Sequence, residues 1–196
     1  MNPIASSSTF TLLDPFVPPA IPRVRTPRLL LREVRRTDFP ASAENAADPL
    51  AQAFIGGVRS SRDAWRSFLC GAGNWMIHGM GWWTVEDPAI GSVGSVGVFV
   101  RESSPDVEIG WTIHRAHWGK GYASEAARAA LDFTVQRHGV RRIVAYVDKG
   151  NERSVKVALK LGMRHEREAD FYGESVSLYA IGDGPSAASP EAASTA

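Results

Sequence analysis

The chain has 196 residues, 44% of them hydrophobic and 22% charged, the size and balance of one globular domain rather than a fibrous or low-complexity polymer. Lys and Arg number 22 against 21 Asp and Glu, which excludes a broad cationic face for nucleic acid or anionic lipid. A single cysteine, Cys70, excludes an intrachain disulfide framework; with no basic apolar leader and no apolar run of about 18 residues, a cytoplasmic protein without a membrane partner is expected.

Residues 1–24 carry Ser6-Ser-Ser8, Pro15, Pro18-Pro19 and Pro22, a composition that opposes helix and offers little to bury, so an extended arm is expected. A domain at 25–182 follows, then a small, polar tail at 183–196. Alternation over Arg28 to Val34 predicts a first strand. Thr37-Asp38 opens a helix toward Ala47, and Ser60-Ser61-Arg-Asp63 starts a second, with Trp65, Phe68 and Leu69 at helical spacing. Cys70, within it, reads as a core residue. Strands are predicted at Trp82–Val85, Gly91–Val100 and Val107–His114; short turn-prone links make them an antiparallel meander. Tyr122 to His138 repeats small and apolar residues at helical spacing and ends at Gly139. Ile143–Val147 is a β-branched strand, Ser154–Leu161 a short amphipathic helix stopped by Gly162, and Val176–Ile181 a last strand. Strand 107–114, helix 122–138 and strand 143–148 make a right-handed βαβ unit with parallel strands.

Gly119 and Gly121 stand just before the 122–138 helix, where backbone approaches a ligand without Cβ obstruction and unpaired helix-start N–H groups point outward. Such a cradle binds phosphate, with Lys120 at its rim; a plain tight turn is the alternative on the glycines alone. A dinucleotide site fits less well: Ser124 takes the third small position, five residues separate strand from glycines, and 48 residues after Asp148 cannot complete a doubly wound domain. Gly91, Gly94 and Gly97 recur every third residue and read as strand or bulge positions.

Val107-Glu-Ile-Gly-Trp-Thr-Ile113, then Trp118-Gly-Lys-Gly-Tyr-Ala-Ser-Glu-Ala126, then Asn151-Glu-Arg-Ser154 to Lys160-Leu-Gly-Met163 resemble the central motifs of GNAT acetyltransferases, in order and at family spacing. Arg25-Thr-Pro-Arg-Leu-Leu-Leu-Arg32, Trp82-Trp83 and Leu178-Tyr179 resemble the branch containing the RimJ and RimL N-terminal acetyltransferases. The resemblance spans residues 25–182. It implies an α+β fold: a twisted, mixed, mostly antiparallel sheet of about six or seven strands with one parallel βαβ unit and helices on both faces. It further implies acetyl-CoA as co-substrate, with its pyrophosphate on the N–H groups of Gly119, Lys120, Gly121, Tyr122 and Ala123, and with Trp118 and Ser124 flanking them in the cofactor site. Its pantetheine amides would pair with backbone at Trp111, Thr112 and Ile113, and Asn151 would order the loop or touch the cofactor. Trp118 departs from the Gln or Arg usual in the motif, so that side chain's polar contact is lost. A homodimer is also implied, although no apolar stripe marks it.

Acetyl transfer to an amine needs a neutral nucleophile, a donor to the carbonyl oxygen and a proton for the departing thiolate, but neither covalent intermediate nor metal. By resemblance Ser154 is the proton donor, since the tyrosine of other members would fall at Ala158; as a helix-opening serine it equally suits an N-cap. Glu108, on the strand lining the cleft, is the candidate base or a structural carboxylate. Without a strong base, α-amines of pKa near 8 suit the chain better than lysines near 10.4. The acceptor, a peptide N-terminus or a small-molecule amine, would be chosen by helices between about 37 and 70 and by a loop after Gly162. Arg59, Arg62 and Arg66 form a basic rim there, either attracting an acidic acceptor or solvating a helix. His114 and His117 lack carboxylate or cysteine companions at metal-ligand spacing, so no metal is expected. Trp82, Trp83, Trp111 and Trp118 are core residues or an acceptor wall. The competing reading is an acyl-CoA sensor without turnover.

Overall fold

A computed structural model describes residues 20–102 and 104–183; most of the expected arm and nearly all of the expected tail lie outside them. Strands β1 (Val24–Arg25) and β2 (Leu30–Arg32) lead to helices α1 (Phe39–Ala47), α2 (Pro49–Gln52) and α3 (Ser61–His78). Strands β3 (Trp82–Asp87), β4 (Gly91–Arg101) and β5 (Ser104–Ile113) form the expected meander, followed by α4 (Tyr122–His138), β6 (Arg142–Asp148), α5 (Glu152–Lys160), β7 (Arg164–Phe171) and β8 (Glu174–Gly182). They make one eight-stranded sheet ordered β1-β2-β3-β4-β5-β6-β8-β7. Only β5 and β6 pair in parallel, the pairing the right-handed crossover predicts.

Local signals set the helix ends. Ser60 Oγ accepts the Asp63 N–H at the start of α3, and Gly79 and Gly139 close α3 and α4 in the left-handed conformation that only glycine adopts without steric cost. Successive residues of β3 face opposite sides of the sheet. Trp83 meets Phe133 of α4 at 5.6 Å between ring centroids, whereas Trp82 lies under Gly71 of α3 and Thr84 bonds Asp38 ahead of α1. Helices therefore cover both faces, as expected. Ala126, Ala127 and Ala130 of α4 are fully buried, and their small side chains let the helix lie close to the sheet.

Two expectations need correction. The strand expected over Arg28–Val34 is shorter at Leu30–Arg32, preceded by a separate two-residue strand, Val24–Arg25, at the expected boundary between arm and domain. The segment after Gly162, expected as a loop, is strand β7, and residues 164–168 are exposed. It forms the sheet's edge, where charged residues discourage edge-to-edge association and hide the alternation that marks an inner strand. Gly94 is a bulge position, with φ 157° and a would-be Cβ 2.2 Å from the Thr112 carbonyl.

Beneath α1 sits a buried ion-pair network. Arg32 and Asp38 are 3% and 5% exposed. They pair bidentately at 2.8 Å, while Arg32 Nε donates to Glu86 at 2.5 Å. Asp38 also accepts the Arg35 N–H and the Thr84 hydroxyl, each at 2.9 Å. Burial alone would raise the Asp38 carboxyl, but these donors hold it below the usual carboxylate range.

Candidate active site

Strands β5 and β6 pair only at Val107 with Ile143 and Glu108 with Val144. Past that point they part: Ile109–Ile113 stay bonded to β4 and Ala145–Asp148 to β8, leaving two facing edges unpaired with each other. The His114 N–H bonds the Val93 carbonyl on the β4 side. Backbone groups alternate sides along a strand, so Trp111 and Ile113 turn theirs to the open side and Thr112 turns its own toward β4. Of the three backbone positions expected to pair with a ligand, Thr112 is therefore the one facing away. The Ile113 carbonyl is already occupied, because Trp118 Nε1–H donates to it at 2.7 Å.

Just past this open edge, Gly119 and Gly121 have φ of 78° and 80°. The first backbone bond of α4 runs from the Glu125 N–H to the Gly121 carbonyl. Among the described residues no protein acceptor meets the N–H groups of Gly119 to Ser124, so six amides at a helix start remain for an anion. The Tyr122 side chain is not free for it: the ring is 6% exposed and its hydroxyl donates to Asp87 at 2.6 Å. Glu125 pins this turn to the N-terminal strands, accepting from Thr26 Oγ1 at 2.6 Å and Arg28 Nε at 2.7 Å, while Arg28 Nη1 donates to the Lys120 carbonyl at 2.9 Å. Burial pushes Glu125 upward, yet those donors hold its carboxyl below the usual range. Opposite, the Arg153 guanidinium stacks 4.0 Å over the Trp118 ring, which places a cation beside the loop where Trp118 itself offers none. Neither Arg28 nor Arg153 was singled out from sequence; both are exposed arginines whose partners are set by the fold.

On the opposite face of the sheet a cleft of about 1040 Å³ gathers Glu108, Trp111, Thr112, Asn151 and Ser154. Ile113, 8% exposed, belongs to the core, and Trp118 to Ser124 lie beyond the cleft at the start of α4. The floor is Trp82, stacked on Phe99 at 5.3 Å and fitted against Gly97 and Gly110, where a Cβ would come within 2.5 and 2.9 Å of it. Of the four tryptophans considered as an aromatic wall, Trp82 and Trp111 line the cleft, whereas Trp83 is 1% exposed in the core. Cys70 is exposed and lines the cleft too, against its expected place in the core, because α3 buries Ala64 and Trp75 instead.

Glu108 is 6% exposed and held by the Arg101 guanidinium through Nε and Nη2, the latter bond at 2.8 Å. Burial pushes the Glu108 carboxyl above the usual carboxylate range, and Arg101 opposes that rise. Arg101 in turn lies 4.3 Å over Phe171 and 5.7 Å over Tyr172, tying Glu108 to the β7–β8 turn. Ser154 is not an N-cap: Asn151 Oδ1 caps α5 by accepting the Ser154 N–H at 3.1 Å. Its hydroxyl makes no hydrogen bond among the described residues. Ala158 is fully buried. Burial, with a smaller push from His117, lowers His114 to about 4 and so keeps its imidazole neutral at pH 7. Among the described residues, no group of three or more His, Cys, Asp or Glu is placed to hold a metal, and no helix is long and apolar enough to cross a membrane.

Residues 28–164 match the family model described as "Acetyltransferase (GNAT) domain". The chain is 32% identical over 144 residues to YnaD of Bacillus subtilis (strain 168), named an uncharacterized N-acetyltransferase, covering 73% of this chain and 83% of that one. An acetyltransferase structure from Agrobacterium tumefaciens str. C58 superposes with a TM-score of 0.76 at 29% identity, covering 87% of this chain and 99% of the other. RimL, a ribosomal L7/L12 alpha-N-protein acetyltransferase in complex with coenzyme A, shares the fold with a TM-score of 0.67 at 19% identity, covering 82% and 98% of the two chains.

Proposed function

Because this chain belongs to the GNAT acetyltransferase family, we propose that it moves an acetyl group from acetyl-CoA to a primary amine, an α-amine of a peptide or small molecule. The observation that carries this reading is the open β5–β6 edge continuing directly into a row of free amides at Gly119 to Ser124. Its strand edge suits the paired amides of pantetheine, and its helix start suits a pyrophosphate. Arg153 on Trp118 supplies a nearby cation, and Arg28 with Glu125 holds the turn in place. No cradle for a second cofactor is needed.

In this reading the amine nitrogen attacks the thioester carbon, a C–N bond forms and the C–S bond breaks. A backbone N–H of β5 that the pantetheine arm leaves open stabilises the carbonyl oxygen as charge develops. Glu108 takes the proton lost by nitrogen, directly or through water, and the Ser154 hydroxyl protonates the departing sulfur before recovering a proton from solvent. An exposed thiol at Cys70 suits a reducing compartment and supports a cytoplasmic location. Homodimerisation rests on the family resemblance.

Calorimetry with acetyl-CoA and a transfer assay over an amine panel test the proposal. Binding with transfer to α-amines supports it; binding with no transfer to any amine favours a sensor, and faster modification of lysine side chains overturns the α-amine preference. Gly121→Ala is expected to weaken acetyl-CoA about 5- to 30-fold, the equivalent of the ~1–2 kcal/mol a Cβ costs in the left-handed region. The site has room for the atom, the nearest neighbour being Arg28 at 3.5 Å, so an unchanged affinity would remove the loop from cofactor binding. Ser154→Ala is expected to lower kcat about 10- to 100-fold with CoA affinity intact. Its cap bond uses backbone N–H, which alanine retains, so unchanged turnover would exclude the hydroxyl from the mechanism.

A further inference from the structure

Three buried side-chain atoms lack a partner among the described residues, and two of them, Asn45 Oδ1 and Arg59 Nε, belong to residues that line the cleft. Arg59 donates only to neutral acceptors, Gln52 Oε1 at 2.9 Å and Ser67 Oγ at 3.2 Å. It is half-buried and forms no ion pair among the described residues, whereas the buried Arg32 and the half-buried Arg101 and Arg142 each face carboxylates. Gln52 is 1% exposed and anchored by donating to the Asn45 carbonyl at 2.9 Å, so a buried amide holds the guanidinium in one orientation. A sheltered, oriented cation without an anion is costly unless a ligand supplies one. Within the basic rim the structure separates the members: Arg62 does not line the cleft, and Arg66 does but faces Asp63 at 3.6 Å.

The cleft carries opposite charge on its other side. Helices α1 to α3 cover the β3–β4 side, while Asp148 ends β6 and Glu174 begins β8, both lining the cleft across β5. A molecule lying across the open strand edge therefore meets acids at one end and an unpaired arginine at the other. That arrangement suits an acceptor with an ammonium and a carboxylate and disfavours a polyamine, whose second cation would face Arg59.

We propose that Arg59 is a carboxylate subsite, and that the acceptor carries a carboxylate as well as the amine that is acetylated. This rests on the transferase reading. Arg59 binds the carboxylate through its fork, a geometry lysine cannot reproduce, while Asn45 Oδ1, an acceptor, suits an N–H or O–H donor elsewhere on the ligand.

Matched acceptors test it with the full-length protein: free L-amino acids against their carboxamides, and peptides with Asp as second residue against the same peptides with Asn. The carboxylate member of one arm is expected to show a kcat/KM about 10- to 100-fold higher, and the arm that does so tells a free amino acid from an acidic peptide. Arg59→Gln is expected to erase that preference while leaving the KM for acetyl-CoA unchanged; Arg59→Lys keeps part of it. Equal rates for carboxylate and carboxamide in both arms overturn the subsite, a result the wild-type protein delivers even where a variant folds poorly. An equal loss for both members on Arg59→Gln overturns it as well. Transfer to neutral amines without preference leaves the transferase standing and removes the subsite; acetyl-CoA binding with transfer to no acceptor removes both.

Discussion

Glu108→Gln is expected to lower kcat at least about 100-fold, the usual contribution of a positioned general base, with the KM for acetyl-CoA unchanged. Glu108 is buried on the cleft side of β5, one residue short of Ile109 where β5 leaves β6. Burial makes it more basic than a free carboxylate, and Arg101 opposes that rise. The pH profile separates catalysis from support. A base works deprotonated, so kcat/KM falls as pH drops through the Glu108 pKa, with a limb above the ordinary carboxylate range. Arg101→Met removes the cation that opposes the rise, so the limb must move to higher pH. A loss of less than about threefold in Glu108→Gln, with the acid limb in place, would make the carboxylate structural and leave proton removal to water.

The second large effect concerns stability. Asp38→Ala is expected to destabilise the fold by about 3–5 kcal/mol, the cost of breaking a buried ion pair from one side. It leaves the 3%-exposed Arg32 with Glu86 as its remaining carboxylate and the Glu33 carbonyl as a neutral acceptor, and it strands the Thr84 hydroxyl and Arg35 N–H. Denaturant titration should show a lower midpoint with unchanged slope, since the surface exposed on unfolding hardly changes. A double variant, R32M with D38L, should cost less than the sum of its single changes, because neither buried member of the pair is left facing an empty site, and the Glu86 carboxylate that loses Arg32 is 23% exposed to water. The same carboxylate makes stability acid-sensitive. Its folded pKa lies below the unfolded value, so its contribution is complete above about pH 4 and disappears as pH falls through the folded pKa. Glu33, held near 2 by Arg23 and Arg35, pairs at the surface with arginines whose side chains are 58% and 44% exposed and adds little once solvent screening is counted. A difference below about 1 kcal/mol between Asp38→Ala and the parent would mean that water replaces the network.

Much of the site's frame is local and readable. Ser60, Gly79 and Gly139 mark helix ends by their own conformational preferences. Gly119 and Gly121 before a 3.6-period pattern announce a helix start with free amides. Strand β7 escapes the pattern because its first five residues, Arg164, Glu166 and Arg167 among them, are all exposed, and Ala169 alone of the strand is buried. The capping role left open for Ser154 belongs to Asn151, three residues earlier, since Asx and Ser caps share one signature and only geometry decides which side chain reaches the N–H. Cys70 looked like core because α3 has apolar residues on more than one face, of which the fold leaves Leu69, Met76 and Ile77 exposed.

By itself, the sequence determined the order of elements, the parallel βαβ unit, the glycine cradle and the family resemblance. Each depends on residues close in the chain, where periodicity and backbone preference leave a direct mark. Only the tertiary structure decided which charges meet. Glu125 lies 97 residues from Arg28, which pins the cradle. Arg101 reaches Glu108 across the β4–β5 hairpin and Tyr172 beyond it, and Arg59 lines the cleft with no carboxylate partner among the described residues. An arginine is locally the same residue whether solvated, paired or waiting for a ligand; its free energy depends on burial and partners, which exist only after the strands and helices have come together.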